Sequence, residues 1–171
     1  LAVVVADALR VPSDVRSAVK LGSILHDVGK IGIADAILRK PGPLTEGEWS
    51  VMREHPRIGY EMLNGIEFLE PALPVVLHHH ERWDGAGYPL GLEGDAIPLG
   101  ARIVSACDAF DAMTSDRVYR PALPVEHACD EILACAGTQF DPQVSAVLVD
   151  VVDRTGTGDA EPDMFVRYAT S

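Results

Sequence analysis

Two adjacent imidazoles at the end of an apolar run constrain this chain more than any other feature. His79 and His80 follow Val75-Val-Leu-His78, and a glycine-rich stretch, Glu81-Arg-Trp-Asp-Gly-Ala-Gly-Tyr-Pro89, begins at once. Paired imidazoles at an apolar helix end are costly unless something satisfies them, and imidazole is a common ligand of transition metals. A chain built this way needs a rigid scaffold behind the pair and further ligands from elsewhere.

The scaffold reads as helical. No stretch alternates convincingly as a strand and there are no repeats; apolar residues recur at helical spacing between prolines. Residues 1–10 read as the tail of a helix. Ser13 is a plausible N-cap for the next one, in which Val15, Ala18, Val19, Gly22 and Leu25/His26 form an inward stripe. Gly29 then lets the chain turn. Thr45 and Glu48 have the spacing of a capping box, and that helix is expected to end near Glu54–His55 because Pro56 disfavours a helical residue before it. Pro56 opens another helix that carries Ile58, Met62 and Leu63 inward, and a short helix leads into His78–His80. The Asp84–Leu99 loop is long for a connection inside a domain, and such loops tend to be functional. Ala101–Ser115 reads as a buried helix with Val104, Asp108, Asp111 and Ser115 along one face. Glu126–Cys135 and Pro142–Val152 complete an all-α domain spanning 1–152, with a loosely packed tail expected over 153–171.

Composition narrows the function. The 171 residues suffice for one domain, 47% of them hydrophobic and 23% charged. A formal net charge of −12 argues against a protein that tracks along a nucleic acid polymer. No run approaches the length of a membrane span and Leu1–Ala6 lacks a signal peptide's basic flank, so direct membrane insertion is not expected. The chain opens on Leu rather than Met, which implies a piece of something longer. Cys107, Cys129 and Cys135 lack zinc-type spacing and read as reduced thiols of a cytoplasmic protein.

Five of the six histidines lie in three compact stretches. His26-Asp27 ends a helix, His55 precedes a proline, and His79-His80 closes the apolar run. Asp108 is a carboxylate in an apolar helix, normally paired or bound to a cation. Taken singly, these also read as a structural hydrogen bond, a helix cap or chance. Together, nitrogen and carboxylate donors in this mix suit iron, manganese or zinc, and six are too many for one tetrahedral site. Two ions sharing a bridging carboxylate fit better, an arrangement characteristic of phosphoester hydrolysis. Lys30, Arg117 and Arg120 are candidate phosphate holders, or else solvated surface charges.

The chain resembles the HD-GYP domains, a branch of the HD metal-dependent phosphohydrolases. The residues that carry the resemblance are His26-Asp27-Val-Gly-Lys30, His55-Pro56 with Gly59, and the whole of His79 to Pro89. It continues through Arg102-Ile with Asp108 and Asp111, Thr114-Ser-Asp-Arg117, Tyr119-Arg120-Pro121 and Gly137-Thr-Gln-Phe-Asp-Pro142. Val28 and Val118 are mild departures. The resemblance implies a helical HD-domain bundle with extended C-terminal helices. It also implies hydrolysis of cyclic di-GMP to linear pGpG, and on to GMP, by water activated on two ions of iron or manganese. It assigns His26, Asp27 and Asp108 to one metal subsite with Asp27 bridging and catalytic, and His55, His79 and His80 to the other. Lys30, Arg117 and Arg120 match substrate-binding positions, Lys30 also acting in catalysis, while Glu81, Asp84 and Asp111 support the ligands. In the family a further histidine lies upstream of the point where this chain begins, so the first subsite here is expected to lack a ligand, and a third ion belongs to a longer protein. Partners implied are cyclic di-GMP, diguanylate cyclase domains meeting the Asp84–Leu99 loop, and an N-terminal regulatory domain. Two other readings remain: a module that binds nucleotide or partner without turnover, and an HD hydrolase of another guanine nucleotide.

Overall fold

Prolines and capping side chains cut the chain into short helices, and a computed structural model shows how they pack; it describes residues 1–116 and 121–156. The helices are α1 (Ala2–Ala8), α2 (Ser13–Leu25), α3 (Asp35–Leu38), α4 (Glu46–Met52), α5 (His55–Leu63), α6 (Leu73–His78), α7 (Leu99–Thr114), α8 (Val125–Ala134) and α9 (Pro142–Thr155). Tight 3₁₀ turns fill Val28–Gly32, Glu67–Ala72 and Gly94–Ala96. No strand occurs among the described residues, only the isolated bridges Asp84–Glu93 and Ala136–Phe140. The all-helical expectation is met. No helix among the described residues is long and apolar enough to cross a membrane.

Local chemistry explains most boundaries. Thr45 accepts a hydrogen bond from the Glu48 amide while the Glu48 carboxylate accepts from the Thr45 amide, the expected capping box. Asp141 caps α9 by accepting from the amides of Gln143 (2.7 Å) and Val144 (3.2 Å). Three expectations need correction. Ser13 is the first residue of α2 rather than its cap, because Pro12 takes the capping position without a side-chain bond. His55 opens α5 instead of ending α4, since the chain leaves α4 at Arg53 and the next helix starts just ahead of Pro56. Met62 is 45% exposed, because α5 turns His55, Pro56, Gly59 and Leu63 inward and leaves Met62 outside that face. The last helix also runs three residues beyond Val152; residues 157–171 of the expected tail lie outside those described.

The main core joins α1, α2, α6, α7, α8 and α9 through Val5, Val19, Val75, Ile103, Phe110, Ile132, Leu148 and neighbours. A smaller core of Leu63, Leu69, Leu73 and Val76 lies under α5 and the 67–72 turn, with Leu21, Leu25 and Val28 packed on it. Adjacent residues of α6 therefore serve different cores: Val75 faces one and Val76 the other, both buried. Burying each is worth about 2 kcal/mol. This double anchoring fixes a helix of only six residues, and His79 and His80 leave from its C-terminal end.

Candidate metal centre

Four helices bring side chains to one point. His26 sits at the C-terminal end of α2 with Asp27 just beyond, His55 opens α5, His79 and His80 follow α6, and Asp108 lies within α7. Gly29 allows the approach of the first two groups. It lies in the expected turn after α2, without a left-handed conformation. A Cβ there would collide with the carbonyl oxygen of His55, so only glycine lets the 28–32 turn lie flat against the start of α5.

Each of three rings is held by the backbone of the chain just before it. The Nδ1 atoms of His26, His55 and His79 meet the backbone oxygens of Ser23 (3.0 Å), Met52 (2.8 Å) and Val76 (2.9 Å), in every case three residues back. A carbonyl oxygen only accepts, so Nδ1 carries the hydrogen and Nε2 turns to the centre. The Nε2 atoms of His55 and His79 consequently face each other at 3.3 Å in a site where both residues are 1% exposed. Burial, reinforced by His80, His26 and His55, pushes the His79 proton affinity well below its usual range, leaving a bare lone pair there at neutral pH. His80 is pushed down to about 4 by burial and by His55. Asp27, His55, His79 and His80 each offer one ligand atom, all within 4.8 Å of one another. Converging lone pairs beside a carboxylate fit a divalent transition metal ion.

Asp27 divides its two oxygens. Oδ1 lies 3.3 Å from His55 Nε2 and 4.0 Å from His79 Nε2, while Oδ2 lies 3.5 Å from His26 Nε2 and 2.5 Å from Lys30 Nζ. His26 Nε2 is also 3.6 Å from Asp108 Oδ1. Burial alone would raise the Asp27 pKa, but His55 and Lys30 outweigh it and hold the carboxyl well below its usual range. Burial likewise opposes protonation of His26, yet Asp108 and Asp27 win and raise it. The His26 imidazole in turn lowers Asp108. The structure thus gathers His26, Asp27, Lys30, His55, His79, His80 and Asp108 into one centre.

The expected supporting residues are more dispersed. Glu81 is buried, and its carboxylate accepts from the amides of Leu90 (2.8 Å) and Leu92 (3.1 Å), tying down the following loop. His78 is buried beside it, Nδ1 lying 3.6 Å from Glu81 Oε1. Asp84 takes a two-pronged bond from Arg82 (3.0 and 2.6 Å) and stabilises the loop rather than touching the ligands. Asp111 is exposed and, with His26, Asp108 and Leu1–Val3, lines a cavity of about 230 Å³ beside the centre. Arg117 and Arg120 lie outside the described residues. Tyr88, not singled out from the sequence, stacks on His80 with ring centroids 4.8 Å apart; an aromatic residue between a glycine pair and a proline was the available signal.

The fold and this centre define a class, and comparison with known proteins agrees. Residues 1–144 match the HD domain family, so the chain belongs to that family. Within it, the chain carries the HD-GYP pattern. It is 47% identical over 147 residues to the cyclic di-GMP phosphodiesterase response regulator of Xanthomonas campestris, covering 84% of this chain and 39% of that protein. It is 40% identical over 134 residues to a 3′3′-cGAMP-specific phosphodiesterase of Vibrio cholerae, covering 77% of this chain and 26% of that one. A crystal structure of a cyclic GMP-AMP-specific phosphodiesterase from V. cholerae superposes with a TM-score of 0.75 at 19% identity, over 99% of this chain and 46% of its own, which establishes the shared fold. The chain spans less than half the length of each of these relatives.

Proposed function

We propose that this domain hydrolyses cyclic di-GMP to linear pGpG and, by a second cut, to GMP. The observation that carries this reading is the split Asp27 carboxylate, one oxygen facing His55 and His79 and the other facing His26. His55, His79 and His80 with Oδ1 would hold one ion, and His26 and Asp108 with Oδ2 the second. Iron or manganese, rather than a harder cation, suits this nitrogen-rich set. When bound, such a pair activates water and offsets the charge of a phosphodiester. Lys30, half exposed beside Asp27, can donate to a phosphate oxygen, and Arg117 and Arg120 are assigned to the same task from the sequence pattern. The 47% identity to a cyclic di-GMP enzyme, against 40% for the cGAMP-specific relative above, favours the symmetric dinucleotide.

The decisive experiment is chromatography of products from cyclic di-GMP and from 3′3′-cGAMP, with Fe(II) or Mn(II) supplied anaerobically. Linear pGpG or GMP is expected. Tight binding without product would favour a regulatory module, and faster turnover of 3′3′-cGAMP would reassign the substrate. The pinned Asp84–Leu99 loop exposes Leu90 (59%) and is the surface we assign to a diguanylate cyclase domain. Free Cys107, Cys129 and Cys135 support a cytoplasmic setting, and the response-regulator relative supports a regulatory domain ahead of this one.

A further inference from the structure

His80 differs from the other imidazoles of the centre. His26, His55 and His79 are each fixed by a backbone carbonyl three residues back, whereas among the described residues His80 has no such bond. Two of its ring neighbours, His79 at 4.1 Å and His55 at 5.0 Å between centroids, are themselves candidate ligands and supply no hydrogen-bond anchor. The remaining neighbour is Tyr88, whose ring lies 4.8 Å away with planes 27° apart.

Tyr88 is itself placed by independent contacts. Its amide bonds the His80 carbonyl (3.2 Å), folding the loop back over the ligand that precedes it. At Gly87 a Cβ would run into the Arg82 amide and lie 2.5 Å from Glu81 Cα, so the loop backbone is pressed against the chain leaving His80. On the other side of Tyr88 the buried Glu81 carboxylate holds the Leu90 and Leu92 amides. The Arg53 guanidinium lies 5.7 Å from the centre of the Tyr88 ring. A rigid loop thus presents a flat aromatic face to the one imidazole of the centre that, among the described residues, no backbone carbonyl holds.

We propose that Tyr88 is the positioning residue for His80, its ring doing for that imidazole what the backbone carbonyls do for the other three. The proposal rests on reading the cluster as a metal centre, and requires no particular substrate. Residues that orient a ligand from behind typically affect metal affinity by about 10- to 100-fold. Stacking needs the ring and not the hydroxyl, which burial keeps protonated with a pKa pushed up to about 12.

The test is Mn(II) affinity of the full chain, measured by calorimetry without substrate, in Tyr88→Phe, Tyr88→Leu, His80→Ala and the Tyr88→Leu/His80→Ala double variant. Tyr88→Phe should bind within about twofold of the parent and Tyr88→Leu about tenfold more weakly. Adding Tyr88→Leu to His80→Ala should cost nothing more, which a general packing defect would not reproduce. Parental affinity in Tyr88→Leu, or a full loss persisting on the His80→Ala background, would overturn the proposal. If Tyr88→Leu unfolds, the near-ultraviolet tyrosine difference spectrum on adding Mn(II) decides: a signal present in the parent and lost in both Tyr88→Phe and His80→Ala supports it, and its absence from the parent overturns it. A parent that binds no Mn(II) sinks the metal-centre reading together with this one, whereas metal uptake without cyclic di-GMP hydrolysis sinks the substrate reading alone.

Discussion

The two halves of the centre are built on different principles. The half around His55, His79 and His80 is nitrogen-rich and enclosed, and burial strips protons from His79 and His80. The half around His26 and Asp108 borders a cavity, and its two carboxylates favour a proton on His26. At the first half a cation would meet imidazoles that burial keeps low in protons; at the second, a proton and a cation would compete for His26. Asp27 turns one oxygen to each half, so under the proposed function it would join two unlike subsites into one centre.

Removing the shared residue should have the largest effect. Asp27→Ala is expected to lose more than the roughly hundredfold in metal affinity that a supporting residue costs, and turnover with it, as measured by bound Mn(II) and by product formation. Unchanged hydrolysis would refute the bridging role. Gly29→Ala comes next, since it forces the 28–32 turn away from the His55 carbonyl. A loss of about 3 kcal/mol in urea unfolding is expected, and parental stability would show that the two halves need no such close approach.

Asp108→Asn separates the halves. It should weaken metal at the His26 side about tenfold or more while the nitrogen-rich side keeps its ion, which metal titration can resolve; equal losses on both sides would erase the distinction. Acidification gives the smallest effect, and its sign follows from proton binding. His79 and His80 have folded pKa values below the usual 6.5, so between pH 7 and 5 the unfolded chain binds more protons and stability falls. His26, raised, contributes in the opposite direction over the same range. His78, lowered by burial, adds to the loss, so three groups against one predict a net fall in stability of the metal-free protein between pH 7 and pH 5. A stability that rises on acidification would mean that the His26 side dominates.

Helical periodicity and proline placement made the fold legible, and the side chains of the centre were legible because they sit in short contiguous motifs. What escaped was either a contact with a partner distant in sequence or a local detail that no residue type announces. Gly29 lies in the expected turn, but why it must be glycine emerges only once His55 is seen lying against it. Met62 falls within the apolar pattern of α5, but the contact face is set by how that helix rolls onto the 28–32 turn. Ser13 has capping chemistry one position too late. The ring locks of His26, His55 and His79 use main-chain carbonyls, which no residue type announces, and the stack of Tyr88 on His80 depends on a loop closing back over its own beginning.

The six residues of α6 are too few to form a stable helix alone, yet Val75 and Val76 commit it to two cores at once. Its amides should therefore exchange with deuterium only when the whole domain opens, placing His79 and His80 in the slowest-opening part of the molecule. An ion bound there would leave by ordinary dissociation, and the positions of the two imidazoles are expected to outlast its departure. By mass action, each increment of free metal above its dissociation constant should then raise the unfolding temperature of the entire domain and not of the loop alone.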